Sequence, residues 1–300
     1  MGATRGWLWV LVVLGLLSPA LAQTGSAPRC KVCGQPVTSG YRLRDGSAVC
    51  KEHLDQALPH CFACHKPIPG DYRVVGPNEV PVCDSCYALY PHCDVCGLPV
   101  DRNGRSLPDG RYFCREHRDG IYDQAQAGRL FLQASDEVLD TFGQRLDVKL
   151  PPAEVRLVDG REMIKLADGP TRDGRAPLGL TKIPRSIHHD GRATVEAATV
   201  YLISGLPRQR LLTVAAHEYA HMWHSQNHPD YNQVSRRMQE GFAEWVAYHV
   251  AQSQDRPIEV KAMLTKKDSD YVDGLHRFLE LEREVGSDGV FEYALTHSDI

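Results

Sequence analysis

The chain of 300 residues lacks an excess of positive charge, cysteines in its C-terminal part and long apolar runs, and each absence excludes a class of protein. Its charge is not positive in balance: the formal net charge is −4, which gives no long-range field that attracts nucleic acid. It has no cysteine after Cys114, and apart from a short apolar run over 7–17 it has no stretch that approaches the length needed to span a bilayer. The sequence therefore predicts a soluble globular protein without a nucleic-acid partner.

Residues 1–22 have the three parts of a secretory signal peptide. Arg5 precedes an apolar run over 7–17, and the sequence ALA at 20–22 forms a small-x-small cleavage site. An uncleaved anchor is the alternative, but the run of about 11 residues is short of the roughly 20 that cross a bilayer. We therefore expect an exported protein, periplasmic or extracellular, whose mature chain begins near Gln23.

A repeated cysteine pattern fills residues 30–117, with Cys-x-x-Cys pairs beginning at Cys30, Cys61 and Cys93. Each pair is followed by a second pair of ligands, which completes the closed tetrahedral set of a structural zinc site. The three predicted sites are Cys30, Cys33, Cys50 and His53; Cys61, Cys64, Cys83 and Cys86; and Cys93, Cys96, Cys114 and His117.

A disulfide framework is the alternative for an exported chain with ten cysteines. However, the first and third modules each have three cysteines and one histidine, so pairing within a module leaves an odd thiol, whereas zinc uses all four ligands. Modules this small bury too little apolar surface to fold alone, and zinc would supply much of their folding free energy. His60, His65 and His92 lie beside ligands and could substitute for them.

The composition changes after His117, which places a domain boundary near 118–123 and a second domain over 119–300. Helical spacing of apolar residues and a Gly143 C-cap predict a helix at 124–142. Further patterns predict helices at 211–225, 234–252 and 274–285, strands at 155–158, 162–166 and 199–204, and loops over 168–191 and around Pro257. Mixed elements of this kind indicate an α+β fold.

The sequence AHEYAH carries the chemistry of the second domain. His217 and His221 stand at i and i+4, so on a helix both imidazoles project from one face and bind a single zinc ion. Glu218 is placed to reach a metal-activated water as general base. Ordinary polar residues on an exposed helix face are the alternative for so short a motif.

A catalytic zinc needs a third protein ligand, and the sequence QEGFAEW offers two carboxylates. Glu240 is the predicted ligand. Glu244 lies one turn further along the same face, and there the chain resembles the gluzincin peptidases, which often carry an acidic group that orients the first histidine; the resemblance implies this role for Glu244 toward His217. Exchanged roles for Glu240 and Glu244 are the alternative. A metzincin site fits less well, because that pattern needs glycine at His224 and histidine at Asn227. His224, His228 and His249 are therefore interpreted as solvent-facing or structural.

These motifs resemble those of known peptidases. The number of residues between His221 and Glu240 is similar to that in gluzincins. M1-type aminopeptidases also have Glu-Gly-Phe-Ala at this place in their sequences. The segment from Val200 to Trp245, with YVDGLHRF near the end, resembles the plant organ-size regulators called "DA-one", which also carry LIM-type zinc fingers before the peptidase. The resemblance implies a gluzincin-type zinc peptidase domain preceded by three small modules, which are LIM-like because the spacers at 54–60 and 87–92 are longer than in strict LIM domains.

Two departures limit the resemblance. The plant proteins begin with ubiquitin-interacting helices, whereas this chain begins with an export signal and shows no ubiquitin-interacting segment. An arginine expected in the YVDG segment is replaced by His276.

The predicted function is hydrolysis of peptide bonds in a peptide or protein substrate, with one catalytic and three structural zinc ions. The LIM-like modules would recruit or regulate a protein partner. The alternative is an inactive exported adaptor, although the presence of Glu218, which binds no metal, favours an enzyme. Tyr271 is the predicted oxyanion partner, with His276, Tyr248 and Tyr293 as the other candidates; a packing role for Tyr271 stays open.

Overall fold

A computed structural model describes residues 27–43, 45–76, 78–143, 150, 153–171, 174–187, 193–195, 197–264 and 269–300. The predicted signal peptide lies outside these residues. The described chain is a mixed α+β protein with three cysteine-rich clusters. None of its described helices is long and apolar enough to cross a membrane.

The chain divides into two compact units. The first unit comprises the described residues up to Ser106 together with Tyr112–Arg115, and the second comprises Leu107–Arg111 and Glu116–Ile300. The predicted boundary at 118–123 falls just inside the second unit.

The described residues up to 117 repeat one small pattern, an antiparallel hairpin followed by a short helical segment. The hairpins are β1 (Gly40–Arg42) with β2 (Ala48–Cys50), β3 (Tyr72–Val75) with β4 (Val80–Cys83), and β5 (Arg105–Ser106) with β6 (Tyr112–Phe113). A 3₁₀ turn (Lys51–His53) and α1 (Leu54–Ala57) follow β2, α2 (Asp84–Leu89) follows β4, and a 3₁₀ turn (Arg115–His117) follows β6.

The same tight turn precedes each hairpin and encloses the first ligand pair. Gly34, His65 and Gly97 occupy the same place in the three turns, with φ of +73°, +58° and +71°. Each donates its N–H to the carbonyl of the first cysteine of its module over 2.8 Å. Glycine adopts this left-handed conformation without strain, so the second module is unusual in having a histidine there. His65 therefore has a backbone role in the turn.

The second unit surrounds a small sheet with helices. Its elements are α3 (Gln124–Phe142), β7 (Ala153–Val158), α4 (Gly160–Leu166), β8 (Gly179–Lys182), β9 (Arg185–Ile187), β10 (Ala193–Val195), β11 (Ala198–Ile203), α5 (Arg208–Asn227), α6 (Arg236–Ser253), α7 (Pro257–Leu264) and α8 (Ser269–Thr296). Helix α8 is broken at Gly286, whose φ is +71°.

The sheet has the order β7-β11-β8, and β9 pairs with β10 separately. Strand β11 is parallel to β7 and antiparallel to β8, and Val200 faces both Val155 and Thr181 in register. Within the described part of the chain, β8 pairs only on its β11 side and is an edge strand. Helix α5 packs against β8 and β11 and against α3 and α6, so most of its length is buried.

The core lies between α5, α6 and α8. Phe242 is fully buried and contacts the rings of Trp223, Trp245, Phe278 and Phe291. Helices that bury aromatic side chains on this scale are fixed by packing more than by their own propensity. Helices α5 and α6 thus provide rigid supports for the side chains on their facing surfaces.

The long elements confirm the sequence predictions. Helix α3 has the predicted bounds, and the Asp123 carboxylate accepts a hydrogen bond from Gln126 N at its N-terminus. Helices α5, α6 and α8 contain the predicted helices or overlap nearly all of them, and the break at Gly286 follows directly on the predicted end at residue 285. Strands β7 and β11 match the predicted strands to within two residues at each end.

Three local predictions were wrong. Residues 162–166, which were predicted as a strand, form part of helix α4, because the Asp159 carboxylate caps the N–H groups of Arg161 and Glu162. The predicted loop over 168–191 contains β8 and β9, since pairing with β11 and β10 overrides the local turn composition. The region at Pro257 begins helix α7, a position where proline loses no helical hydrogen bond.

Candidate metal centre

Helix α5 brings His217 and His221 together on one face. The two Nε2 atoms lie 3.0 Å apart, and the ring planes are nearly perpendicular at 81°. Both residues sit one turn apart in a helix whose surroundings are buried, so the rings have little freedom to move away. Two imidazole nitrogens that converge in this way form half of a tetrahedral metal site.

Helix α6 supplies the third member of the cluster. Glu240 Oε2 lies 3.2 Å from His217 Nε2 and 3.5 Å from His221 Nε2. The ligand atoms of the three residues all lie within 4.8 Å of one another. Burial opposes the charge on Glu240, but contact with the two histidines holds the pKa of Glu240 well below its usual value. Two imidazole nitrogens and one carboxylate oxygen form one of the ligand sets that bind zinc in proteins.

Glu244 contacts the other side of His217. Its Oε1 lies 3.8 Å from His217 Nδ1, the ring nitrogen that faces away from the cluster. A carboxylate in that position favours the imidazole tautomer whose Nε2 is free to bind a metal. The geometry therefore places Glu240 at the cluster and Glu244 behind it.

Glu218 lies beside the cluster and is 4% exposed. The hydroxyl of Thr181 on β8 donates a hydrogen bond of 2.7 Å to Glu218 Oε2. The other carboxylate oxygen, Oε1, lies against Gly179, where an added Cβ would approach it to 2.3 Å. The edge strand thus contacts both oxygens of this carboxylate.

Tyr271 lies next to His217 at the start of α8. The two rings are stacked, with centroids 5.9 Å apart and planes at 24°. Burial, together with the charges of Glu240 and Glu218, raises the pKa of Tyr271 well above its usual value. The phenol therefore stays protonated at neutral pH and is able to donate a hydrogen bond.

The other predicted oxyanion candidates are engaged elsewhere. Tyr248 accepts a hydrogen bond from Gln252 Nε2, and Tyr293 donates one to the carbonyl of Asp299. His276 is exposed on α8, and five residues along a helix place it roughly 140° around the axis from Tyr271. Of the four candidates, only Tyr271 has a described contact with a residue of the cluster.

Three further histidines of the second unit, His224, His228 and His249, make contacts away from the cluster. His224 is completely buried and donates from Nε2 to the carbonyl of Ala294 over 2.7 Å. Burial lowers its pKa to about 3, so His224 is neutral. His228 accepts from Asp230 N, and His249 contacts Glu282 at 2.9 Å. None of the three belongs to the His217 cluster.

The cysteine clusters of the three modules match the predicted ligand sets completely. In the first module Cys50 Sγ lies 3.6 Å from Cys30 Sγ, 4.0 Å from Cys33 Sγ and 2.9 Å from His53 Nδ1. The sulfur separations exceed the roughly 2.05 Å of a disulfide, and all ten cysteines are free. The arrangement is consistent with zinc and does not favour the disulfide alternative.

Within the modules the pKa of some cysteines is lowered and that of others is raised; burial and neighbouring thiols raise the pKa of Cys50 and of Cys86 to about 12. Hydrogen bonds from the backbone N–H groups of Cys33 and Cys50 lower the pKa of Cys30 to about 6. The hydroxyl of Ser85 similarly helps to lower the pKa of Cys83 to about 6. Thiolates are the forms that bind zinc. His60, His65 and His92 do not belong to the clusters, and His92 instead donates to the carbonyl of Tyr87.

Sequence reasoning missed the part of the site that β8 provides. Gly179 and Thr181 fall in a segment whose glycines, prolines and aspartates predicted a loop, and no motif singled them out. Their relation to Glu218 depends on the pairing of β8 with β11, which local sequence does not reveal.

Comparison with the models of known protein families, with curated proteins and with solved structures finds no match. The resemblance to the LIM-containing peptidases therefore rests on the motifs of the sequence.

Proposed function

We propose that the second unit is a zinc-dependent peptidase of the gluzincin type, and that the chain is an exported relative of the LIM-containing plant regulators. The convergence of His217, His221 and Glu240 from two buried helices carries this proposal. An adjacent carboxylate, Glu218, is what separates a hydrolytic site from a purely structural one, because it stands beside the metal ligands without joining their cluster.

The residues would divide the chemistry between them. Zinc held by His217, His221 and Glu240 would polarise the peptide carbonyl and make a water molecule acidic. Glu218 accepts the proton of the attacking water and passes it to the leaving amine. Tyr271 donates a hydrogen bond to the oxygen that gains negative charge, and Glu244 holds His217 in orientation.

The edge strand supports a peptide as the substrate. In the described part of the chain, strand β8 is an edge strand that pairs only with β11, and it contacts Glu218 through Thr181. An extended peptide that adds to such an edge forms backbone hydrogen bonds irrespective of its side chains. A substrate bound in this way would lie along the strand that contacts the general base.

The three modules would serve recognition. Their ligand sets are closed, with four protein ligands each, so zinc there has no open position for chemistry. We propose that they present a surface for a protein partner or substrate, as the resemblance implies, while the second unit carries the reaction.

Replacing Glu218 by Gln tests the activity. The amide keeps the shape of the side chain but accepts no proton, so hydrolysis should fall by about 10² to 10⁴-fold with the zinc content unchanged. Cleavage sites in a peptide library are identified by mass spectrometry for wild type and for Glu218→Gln. Glu154→Gln, an exposed change on β7, is the matched control and should cleave as wild type does.

Undiminished hydrolysis in Glu218→Gln would overturn the mechanism. A wild-type protein that holds its full zinc content and cleaves no peptide would overturn the proposed peptidase activity. The alternative of an inactive adaptor would then stand.

A further inference from the structure

Strand β8 holds a hydroxyl against the proposed general base. Thr181 faces Val200 in the β8-β11 ladder, which fixes its backbone and therefore the direction of its side chain. Its Oγ1 lies 2.7 Å from Glu218 Oε2 and 3.4 Å from the Glu218 carbonyl oxygen. A hydroxyl that donates to a charged carboxylate forms one of the stronger and more directional hydrogen bonds in proteins.

The second carboxylate oxygen is confined by the same strand. Gly179 stands two residues before Thr181 and therefore on the same face of β8. A Cβ at this position would lie 2.3 Å from Glu218 Oε1 and 2.8 Å from Glu218 Cδ. The strand thus approaches one oxygen closely and donates a hydrogen bond to the other.

From this contact we propose that Thr181 is a positioning residue, which orients the carboxylate of Glu218 for proton transfer. The proposal rests on the proposed peptidase function. Glu218 has three rotatable side-chain bonds, and its position on α5 determines only where its side chain begins. The Thr181 hydroxyl holds the carboxylate at the end of this side chain, because it selects the rotamer in which Oε2 points to β8.

The expected effect is on turnover and not on binding. Thr181 contacts Glu218 and none of the three proposed zinc ligands in the described structure, so zinc content should not depend on its hydroxyl. Substrate affinity should not depend on it either, because the backbone of β8 stays paired with β11. Misorientation of a catalytic group typically costs about 10 to 100-fold in rate.

Three variants separate positioning from packing. Thr181→Val keeps the shape and strand preference but removes the hydroxyl, and it should lower kcat about 10-fold or more with KM and zinc content unchanged. Thr181→Ser restores a hydroxyl and should recover most of the lost kcat. Thr199→Val on β11 removes a hydroxyl from the same sheet next to Lys182 and should behave as wild type. Wild-type kcat in Thr181→Val, or a Thr181→Ser as slow as Thr181→Val, would overturn the proposal.

Crystal structures of zinc-loaded wild type and Thr181→Val test the contact without turnover. The proposal expects a Thr181–Glu218 hydrogen bond in wild type and a reoriented carboxylate in the variant. An unmoved carboxylate would overturn it. Absence of wild-type hydrolysis would instead count against the peptidase function, and the two failures are therefore distinguishable.

Discussion

Glu240 and Glu244 stand one helical turn apart on α6 and approach His217 from opposite ring nitrogens. Glu240 Oε2 is 3.2 Å from Nε2, and Glu244 Oε1 is 3.8 Å from Nδ1. One carboxylate is placed as a metal ligand, and the other is placed to hold the ligand's ring in orientation.

This difference predicts unequal effects on metal binding. Glu240→Gln should lose the zinc of the second unit, because a ligand is removed, whereas Glu244→Gln should weaken zinc affinity only by about 10 to 100-fold. Zinc titration of the two purified variants, compared side by side, measures the effect. Greater zinc loss in Glu244→Gln would exchange the two roles.

Tyr271 gives a second prediction at this scale. A hydroxyl that stabilises negative charge during the reaction typically contributes about 10² to 10³-fold in turnover, whereas a packing hydroxyl contributes little. Tyr271→Phe keeps the ring that stacks on His217 and should therefore fold and bind zinc while losing turnover. Steady-state kinetics on the zinc-loaded variant provide the measurement, and an unchanged kcat would remove Tyr271 from the mechanism.

Individual residues were predictable where one helix determines their relation. The i and i+4 spacing of His217 and His221 fixes their common face from sequence alone, and the structure brings Glu240 to them from the next predicted helix. Thr181 was not predictable, because its contact with Glu218 joins an edge strand to a helix across residues that carry no shared pattern.

At the scale of elements, a close crossing of α6 and α8 brings Tyr271 to the cluster of His217, His221 and Glu240. Gly241 on α6 faces Gly274 on α8, and a Cβ at position 274 would lie 2.7 Å from Gly241 Cα. Tyr271 lies just three residues before Gly274, so the separation of the helices at this point determines how near the phenol comes to His217.

Gly274→Ala should therefore destabilise the protein and displace Tyr271. Overpacking of this kind costs about 1 to 3 kcal/mol, because the neighbouring atoms are backbone and cannot rotate away. Gly128→Ala in α3 is the matched control: no atom lies within 4 Å of the added Cβ, and the change should stabilise by about 0.5 to 1 kcal/mol. Urea unfolding of both variants measures the difference, and equal stability of Gly274→Ala and wild type would contradict the crossing.

Long elements, in which apolar residues recur at helical spacing over several turns, were predicted well. Short elements were not. Helix α3 shows its buried residues at helical spacing and a capping Asp123, so its bounds follow from sequence. Strand β8 has only four residues, and its structure comes from pairing with β11. Helix α4 was misread because Asp159-Gly160 begins either a turn or a helix, and only the contacts of Asp159 decide between them.

At the scale of the whole molecule, the two units are stabilised by different means. The second unit has a large apolar core that includes fully buried Phe242, Trp245 and Phe278. In the first unit, the cluster of the first module buries only Cys30, Val37, Ala48 and Val49. Burial on that scale does not offset the conformational entropy of folding, so we expect this module to fold only with a metal ion bound to its cysteine cluster.

The three cysteine-rich clusters were predictable from the spacing of the cysteines, because each Cys-x-x-Cys pair is followed by a second pair at a similar distance along the chain. The sequence did not reveal that Leu107–Arg111 belong to the second unit. Their place there depends on contacts such as that of the buried Asp109 carboxylate with Gly160 N, which joins residues distant in sequence.

The most direct test of the account is anomalous diffraction at the zinc edge from crystals of the purified protein. Four peaks are expected, one in each cysteine cluster and one at the cluster of the second unit. The fourth should lie about 2.0 to 2.2 Å from His217 Nε2, His221 Nε2 and a Glu240 carboxylate oxygen, with Glu218 outside the coordination sphere. Zinc in the three modules without a peak at this place, or a peak coordinated by Glu244 in place of Glu240, would contradict the proposed centre.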